Sequence, residues 1–148
     1  MRFIKTDFTR QGKPIRFTLL DEKISRLCTK YKIDLFYVFG SYASNKMNVL
    51  SDLDLAYYSL KKIDILSLLG DLQTLFQEEA IDLVDLRKAP SHLIHRIFRD
   101  GKCLFASSLR LKIDFETEKE GEYFDSAWMR QEYFTAMEGR IEYGTYGT

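Results

Sequence analysis

The run Ile33-Asp34-Leu35-Phe36-Tyr37-Val38-Phe39-Gly40-Ser41 is followed, after ten further residues, by Asp52-Leu53-Asp54-Leu55-Ala56-Tyr57-Tyr58. Positions 33–39 are apolar, aromatic and β-branched, the pattern of a buried strand. The strand stops at Gly40-Ser41. The polar stretch Ser44-Asn45-Lys46-Met47-Asn48 follows, and Leu53 to Tyr58 then reads as a second strand beside the first. Asp52 and Asp54 are two apart, so their carboxylates leave the same face, about 6–7 Å apart along the chain. Leu53 and Leu55 flank them. Like charges on a half-buried strand are costly unless a cation compensates them.

Magnesium suits such a pair, because it takes oxygen ligands and binds through one or two carboxylates plus phosphate oxygens. Two ions about 3.5–4 Å apart would clamp the attacking and leaving oxygens of a phosphoryl or nucleotidyl transfer. Gly40 lets the backbone approach a phosphate closely, and the Ser41 hydroxyl adds a donor. Asp-x-Asp alone often marks a turn, and Gly-Ser alone is a generic bend. The joint pattern is rarer: at roughly 6% per letter, four fixed letters in one frame appear about 0.002 times in a chain of this length.

Working outward, Thr18-Leu19-Leu20-Asp21 has the form of a capping box leading into a helix with Ile24, Leu27, Cys28 and Tyr31 on one face. Ile63, Leu66, Leu69, Leu72, Leu75 and Phe76 mark an amphipathic helix. Ala80 to Leu86 is a third strand. Pro90 opens a helix through Leu93, Ile94, Ile97 and Phe98, with Gly101 as its C-terminal stop, and Cys103 to Ala106 is a fourth strand. The expected class is α/β (α+β), a small mixed β-sheet packed with helices, plus a C-terminal helical extension. Residues 1–113 are read as the domain proper and 114–148 as the extension. The first 17 residues, with Phe3, Phe8 and Phe17 among basic residues, carry no assignable pattern.

A third acid would complete the site, and Asp82 in Ile81-Asp82-Leu83-Val84-Asp85-Leu86 is the candidate. Its apolar neighbours are expected to raise its pKa towards that of a general base. Asp85 falls on the opposite face by the period of two, so both cannot serve one site.

The 148 residues are 45% hydrophobic and 30% charged, which suits one globular domain and excludes wholesale disorder. No apolar stretch is long enough to span a bilayer, and the N-terminus lacks a signal-type apolar core. Cys28 and Cys103 make no disulfide framework, which points to a reducing cytoplasm. Net charge is zero, so direct nucleic-acid binding is not expected. That zero hides nine acids against three bases in residues 114–148, a net of −6, set against +6 in the remainder. The same segment holds eight of the 21 aromatics. Phe124, Trp128, Gln131, Phe134, Met137 and Ile141 fall near one helical stripe, which suits either cover for the chain's own body or docking of a basic partner. Docking is the favoured reading, with the last seven residues as a disordered end. His92 and His95 lack an accompanying Cys or acid cluster and read as a partly packed helix face. Cys28 reads as a small core residue.

Gly40-Ser41-x10-Asp52-x-Asp54 resembles the signature of the DNA polymerase β-like nucleotidyltransferase superfamily. The short chain and the stretch Ile81–Pro90 resemble its minimal nucleotidyltransferase branch, and more narrowly the MntA-type antitoxins of HEPN/MNT toxin–antitoxin pairs. The resemblance covers roughly residues 20–106. It implies a nucleotidyltransferase fold, with Asp52, Asp54 and Asp82 as catalytic residues and ligands of two Mg2+ ions, and with Gly40 and Ser41 on the triphosphate. In such antitoxins AMP is transferred from ATP to a tyrosine hydroxyl of a partner HEPN ribonuclease toxin, silencing it. Such loops often read Gly-Ser-x-Ala-Arg-Gly. Here the run is Gly40-Ser41-Tyr42-Ala43-Ser44-Asn45, without the arginine and the second glycine, and Lys46 is taken as the replacement nucleotide contact. The alternatives are a small-molecule adenylyltransferase of the aminoglycoside type, and a catalytically weak module that neutralises a toxin by binding alone.

Overall fold

The structure, a computed structural model, describes residue 15, residues 17–44 and residues 51–142, the side chains of 130, 132–134 and 137–142 excepted. A 3-10 turn at Phe17–Leu20 leads into α1 (Asp21–Tyr31), and β1 (Leu35–Phe39) and the single turn α2 (Ser41–Ser44) follow. Next come β2 (Leu53–Tyr58), α3 (Ile65–Phe76), β3 (Ile81–Asp85), α4 (Ser91–Asp100), β4 (Lys102–Ala106) and the long α5 (Leu109–Glu142). The expected mixed α/β class is the one found. The four strands form one sheet in the order β3-β2-β1-β4. β1 is antiparallel to both β2 and β4, and β2 is parallel to β3. The parallel pair follows from the α3 crossover, since parallel neighbours need a long connection.

Alternation along the strands splits the core into two layers. Phe36, Val38, Leu53, Leu55 and Tyr57 face α1 and α3, against Ile24, Cys28, Leu68, Leu72 and Phe76. Leu35, Tyr37 and Ala56 face the other way, against Ile94 and Ile97 of α4 and Phe115 of α5. Cys28 is a buried free thiol, as its apolar position implied, and burial pushes its pKa up.

One local expectation changes, and two further helix ends have causes of their own. The capping box does not form: the N-cap of α1 is Leu20, and no side chain caps it. Phe17, buried on Phe76 with ring centroids 5.5 Å apart, anchors the 3-10 turn, so Thr18 lies within that turn instead of at the helix mouth. Ile15 and Phe17 thereby belong to the core, although residues 1–17 carried no pattern. Gly101 does stop α4, yet its φ is −84°, outside the left-handed region. A Cβ there would lie 2.5 Å from the Ile97 carbonyl oxygen and 2.8 Å from that of Val38. Close backbone packing, not a positive φ, requires this glycine. Finally, α5 begins at Leu109 and runs unbroken through the 113/114 boundary. Its mouth is Ser108, whose Oγ accepts from the Leu111 N–H at 3.2 Å.

Candidate active site

The sheet register sets the acids. Phe39, the last residue of β1, pairs with Asp54 on β2, and Asp54 pairs in turn with Asp82 on β3. Asp54 therefore stands between the bend at Gly40 and the third acid, on the sheet face that carries Ala56 and is packed by α4. Asp52 lies exposed immediately before β2. Burial, then Asp82, then Asp52 together push the Asp54 carboxyl up to about 6. Sequence reasoning assigned such a rise to Asp82. Asp82 is exposed, so the burial it was expected to feel acts on Asp54 instead.

Gly40 has φ +70°, and a Cβ built on it would overlap the Asp54 carboxylate. The glycine thus serves twice, by adopting a left-handed bend and by letting the carboxylate lie against the backbone. Beyond the bend, Ala43 and Ser44 return their N–H groups to the Gly40 carbonyl at 3.1 and 3.2 Å. Tyr42 is fully buried, and its hydroxyl is 3.5 Å from Oε2 of the buried Glu78. Oε1 of Glu78 accepts from the Ala80 N–H at 3.0 Å, just ahead of β3. This pair ties the bend to the strand that bears Asp82. Sequence reasoning passed over both; the signal was an aromatic residue inside an otherwise small and polar loop.

The donors suit a hard divalent cation: carboxylate oxygens at adjacent strand ends, one of them protonated more readily than usual through burial and its two acidic neighbours. Asp52, Asp54 and Asp82 were expected to converge as ligands, yet among the described residues no three His, Cys, Asp or Glu side chains are gathered tightly enough to enclose an ion. Lys46, the sequence candidate for a nucleotide contact, lies outside the described residues.

A cleft of about 600 Å³ opens beside the bend, lined by Phe39, Gly40, Ser44, Leu93, Arg96, Arg99 and Asp100. The two arginines escaped the sequence reading. Their signal was i, i+3 spacing on the helix that follows β3. Asp85 stays away from the site, as the period of two required. It accepts from the Arg87 N–H at 2.9 Å and, with burial, pushes the Tyr57 hydroxyl up to about 12. His95 lies in a packed face, its Nδ1 2.8 Å from Glu120 Oε2 and its ring stacked on Tyr123 with centroids 4.0 Å apart. His92 is exposed. Of the tail stripe, Phe124 and Trp128 are 60% and 64% exposed, while the side chains of Phe134, Met137 and Ile141 fall outside the described residues, as do residues 143–148. Among the described residues no helix is long and apolar enough to cross a membrane.

Comparison with known proteins adds to this geometry. Residues 22–110 match the family described as polymerase beta, nucleotidyltransferase. The protein adenylyltransferase MntA of Shewanella oneidensis is 32% identical over 78 residues, which are 51% of this chain and 56% of that protein. The chain thus spans little more than half the length of that curated relative. A toxin–antitoxin crystal structure with AMP-PNP contains a chain 26% identical, with a TM-score of 0.66 over 80% of this chain and 98% of that one. A complex of a tri-AMPylated Shewanella oneidensis HEPN toxin with an MNT antitoxin contains a chain 25% identical, with a TM-score of 0.62 over 82% of this chain and 98% of that one.

Proposed function

The chain belongs to the polymerase beta nucleotidyltransferase family, and from that membership we propose that it is a Mg-dependent protein adenylyltransferase and antitoxin, moving AMP from ATP to a tyrosine hydroxyl of a partner HEPN toxin. The observation that carries this reading is the register Phe39–Asp54–Asp82 beside a positive-φ glycine, with Asp52 adding its charge to the same point. The likeness to a protein adenylyltransferase, and to chains in complexes with AMP-PNP and with an AMPylated HEPN toxin, supports ATP as donor and the toxin as acceptor.

Asp52, Asp54 and Asp82 would hold the magnesium ions. When bound, these ions supply neutralisation of the polyphosphate and polarisation of the α-phosphoryl group. The backbone at Gly40 and the Ser41 hydroxyl orient the triphosphate. Asp82, exposed at its strand position, accepts the proton of the incoming tyrosine hydroxyl. The tyrosine oxygen forms a bond to the α-phosphorus as the bond to pyrophosphate breaks, and pyrophosphate leaves. We place the reaction in the cytoplasm, where ATP is supplied and where Cys28 and Cys103 persist as thiols. The exposed Phe124 and Trp128 on α5 support docking of the toxin on that helix.

Incubation with labelled ATP, Mg2+ and a HEPN-family toxin as acceptor tests the proposal. Label on the toxin that disappears with Asp52→Ala/Asp54→Ala is the expected result. Growth rescue by that double variant without labelling would show neutralisation by binding alone and sink the enzymatic reading.

A further inference from the structure

Among the described residues of the loop after Gly40 none is positively charged: Ser41, Tyr42, Ala43 and Ser44 are neutral, and Asp54 and Asp82 pair beside the bend with Asp52 just ahead of β2. A nucleoside triphosphate brings about four further negative charges, and the phosphates farthest from the acids and the ions they would hold are stabilised by side-chain cations. The cleft beside Gly40 supplies such cations from a different element. Arg96 and Arg99 are three apart on α4, on one helix face, so their Cβ atoms lie about 5–6 Å apart. Both line the same cleft as Gly40 and Ser44. Arg99 is held in place by its neighbour, its Nε donating to Asp100 Oδ1 at 3.0 Å and its Nη2 to Asp100 Oδ2 at 2.9 Å. That clamp uses two of five guanidinium N–H groups and leaves three for a ligand. Phe39 and Leu93 line the cleft between loop and helix with apolar surface, which strengthens charge interactions made there.

Resting on the nucleotidyltransferase reading above, we propose that Arg96 and Arg99 form a cationic arm that grips the β- and γ-phosphates of the bound triphosphate. Asp54 lies against Gly40, and the arginines line a cleft that Gly40 also lines. A triphosphate laid across the bend has its reacting phosphorus at the acids and its remaining phosphates at the guanidiniums. There the arm also meets the charge that develops on departing pyrophosphate, with a planar fork suited to phosphate oxygens.

The test uses the full chain with its toxin, and Mg·ATP, Mg·pyrophosphate and AMP as probes. Arg96→Ala and Arg99→Ala, with Arg96→Gln and Arg99→Gln as milder variants, each weaken Mg·ATP binding and pyrophosphate inhibition of labelling by about tenfold, the effect of losing one charge-assisted hydrogen bond. AMP affinity and Tm stay within about twofold and one degree of the unaltered chain, since both side chains are exposed. A wild-type chain that binds no Mg·ATP would overturn the nucleotidyltransferase reading itself. If wild type binds Mg·ATP and all four variants bind Mg·ATP and pyrophosphate equally well, the arm does not exist. Variants that weaken AMP as much as pyrophosphate put the arginines on the nucleoside, and variants that lose only toxin binding put them at the partner interface; either result overturns the proposal.

Discussion

Asp54 concentrates the conflict on which the site is built. Its carboxyl sits half-buried between two like charges and titrates at about 6. Below its unfolded pKa of about 3.9 both states are protonated and the conflict is silent. As pH rises from there through 6, the folded chain holds a proton that the unfolded chain has released. Stability of the metal-free fold therefore falls across that window and levels off above it. Discounted for solvent screening at a half-buried group, the loss is on the order of 1–2 kcal/mol. Asp54→Asn is thus expected to melt above the unaltered metal-free chain at pH 8 and alongside it at pH 4. Added Mg2+ should raise the Tm of the unaltered chain and leave the variant unmoved. Equal melting of the two metal-free proteins at pH 8 would contradict the assignment. Gly40→Ala is expected to act on the same carboxylate from the other side. A left-handed φ costs an alanine about 1–2 kcal/mol, and its methyl group must displace the Asp54 carboxylate. AMP transfer should fall by at least about 100-fold, since a displacement on the order of 1 Å at a reacting group costs that much. A Tm drop of only a few degrees should accompany the loss.

At the scale of elements, the strands were legible because their apolar and β-branched runs have no other stable use. β2 has the expected bounds, and β1 and β3 differ from expectation by a residue or two at their ends. Asp52, Asp54 and Asp82 were legible for the same reason: once the strands are placed, period two places the acids. Element mouths were harder to read. Thr18 and Asp21 have the letters of a capping box, yet the burial of Phe17 decides where α1 begins, and that depends on Phe76, 59 positions away. Ser108 carries a real cap, but it was hidden among the polar letters that close β4. Arg96 and Arg99 were illegible as site residues, because only the packing of α4 beside the end of β1 brings them near Gly40. Gly101 shows the same limit: it is recognisable as a helix stop, while its contact with the Val38 carbonyl depends on tertiary packing. Gly101→Ala is accordingly expected to destabilise the chain by about 1–3 kcal/mol, the range for overpacking, because both facing atoms are backbone oxygens that cannot swing aside. Urea unfolding measures it. A change below about 0.5 kcal/mol would mean that α4 slides to make room, and the cleft lined by Arg96 would move with it.

Across the whole molecule, α5 packs on the body near its start and carries exposed apolar side chains farther on. Its 34 residues extend about 51 Å at 1.5 Å per residue. Near its start Phe115 is buried, its ring 4.3 Å from that of Tyr58, and Glu116 accepts from the Tyr37 hydroxyl at 2.7 Å. Farther on, His95 of α4 lies 2.8 Å from Glu120 Oε2, and its ring meets those of Tyr123 and Phe124. Phe124, Trp128 and Met129 then face solvent, within a segment whose net charge opposes that of the rest of the chain. Two substitutions on one helix should therefore behave differently. Phe115→Ala is expected to cost about 3–5 kcal/mol of stability, as for other buried aromatics, and to leave a chain that labels weakly because less of it is folded. Phe124→Ala/Trp128→Ala should leave Tm and Mg·ATP binding unchanged while weakening toxin binding by more than about tenfold, as loss of aromatic anchors does. Calorimetry of the free chain and titration with the toxin separate the two effects. If the double variant binds toxin normally, the far half of α5 is not the docking surface. If it melts early, that half covers the chain's own body, against the exposure of both rings.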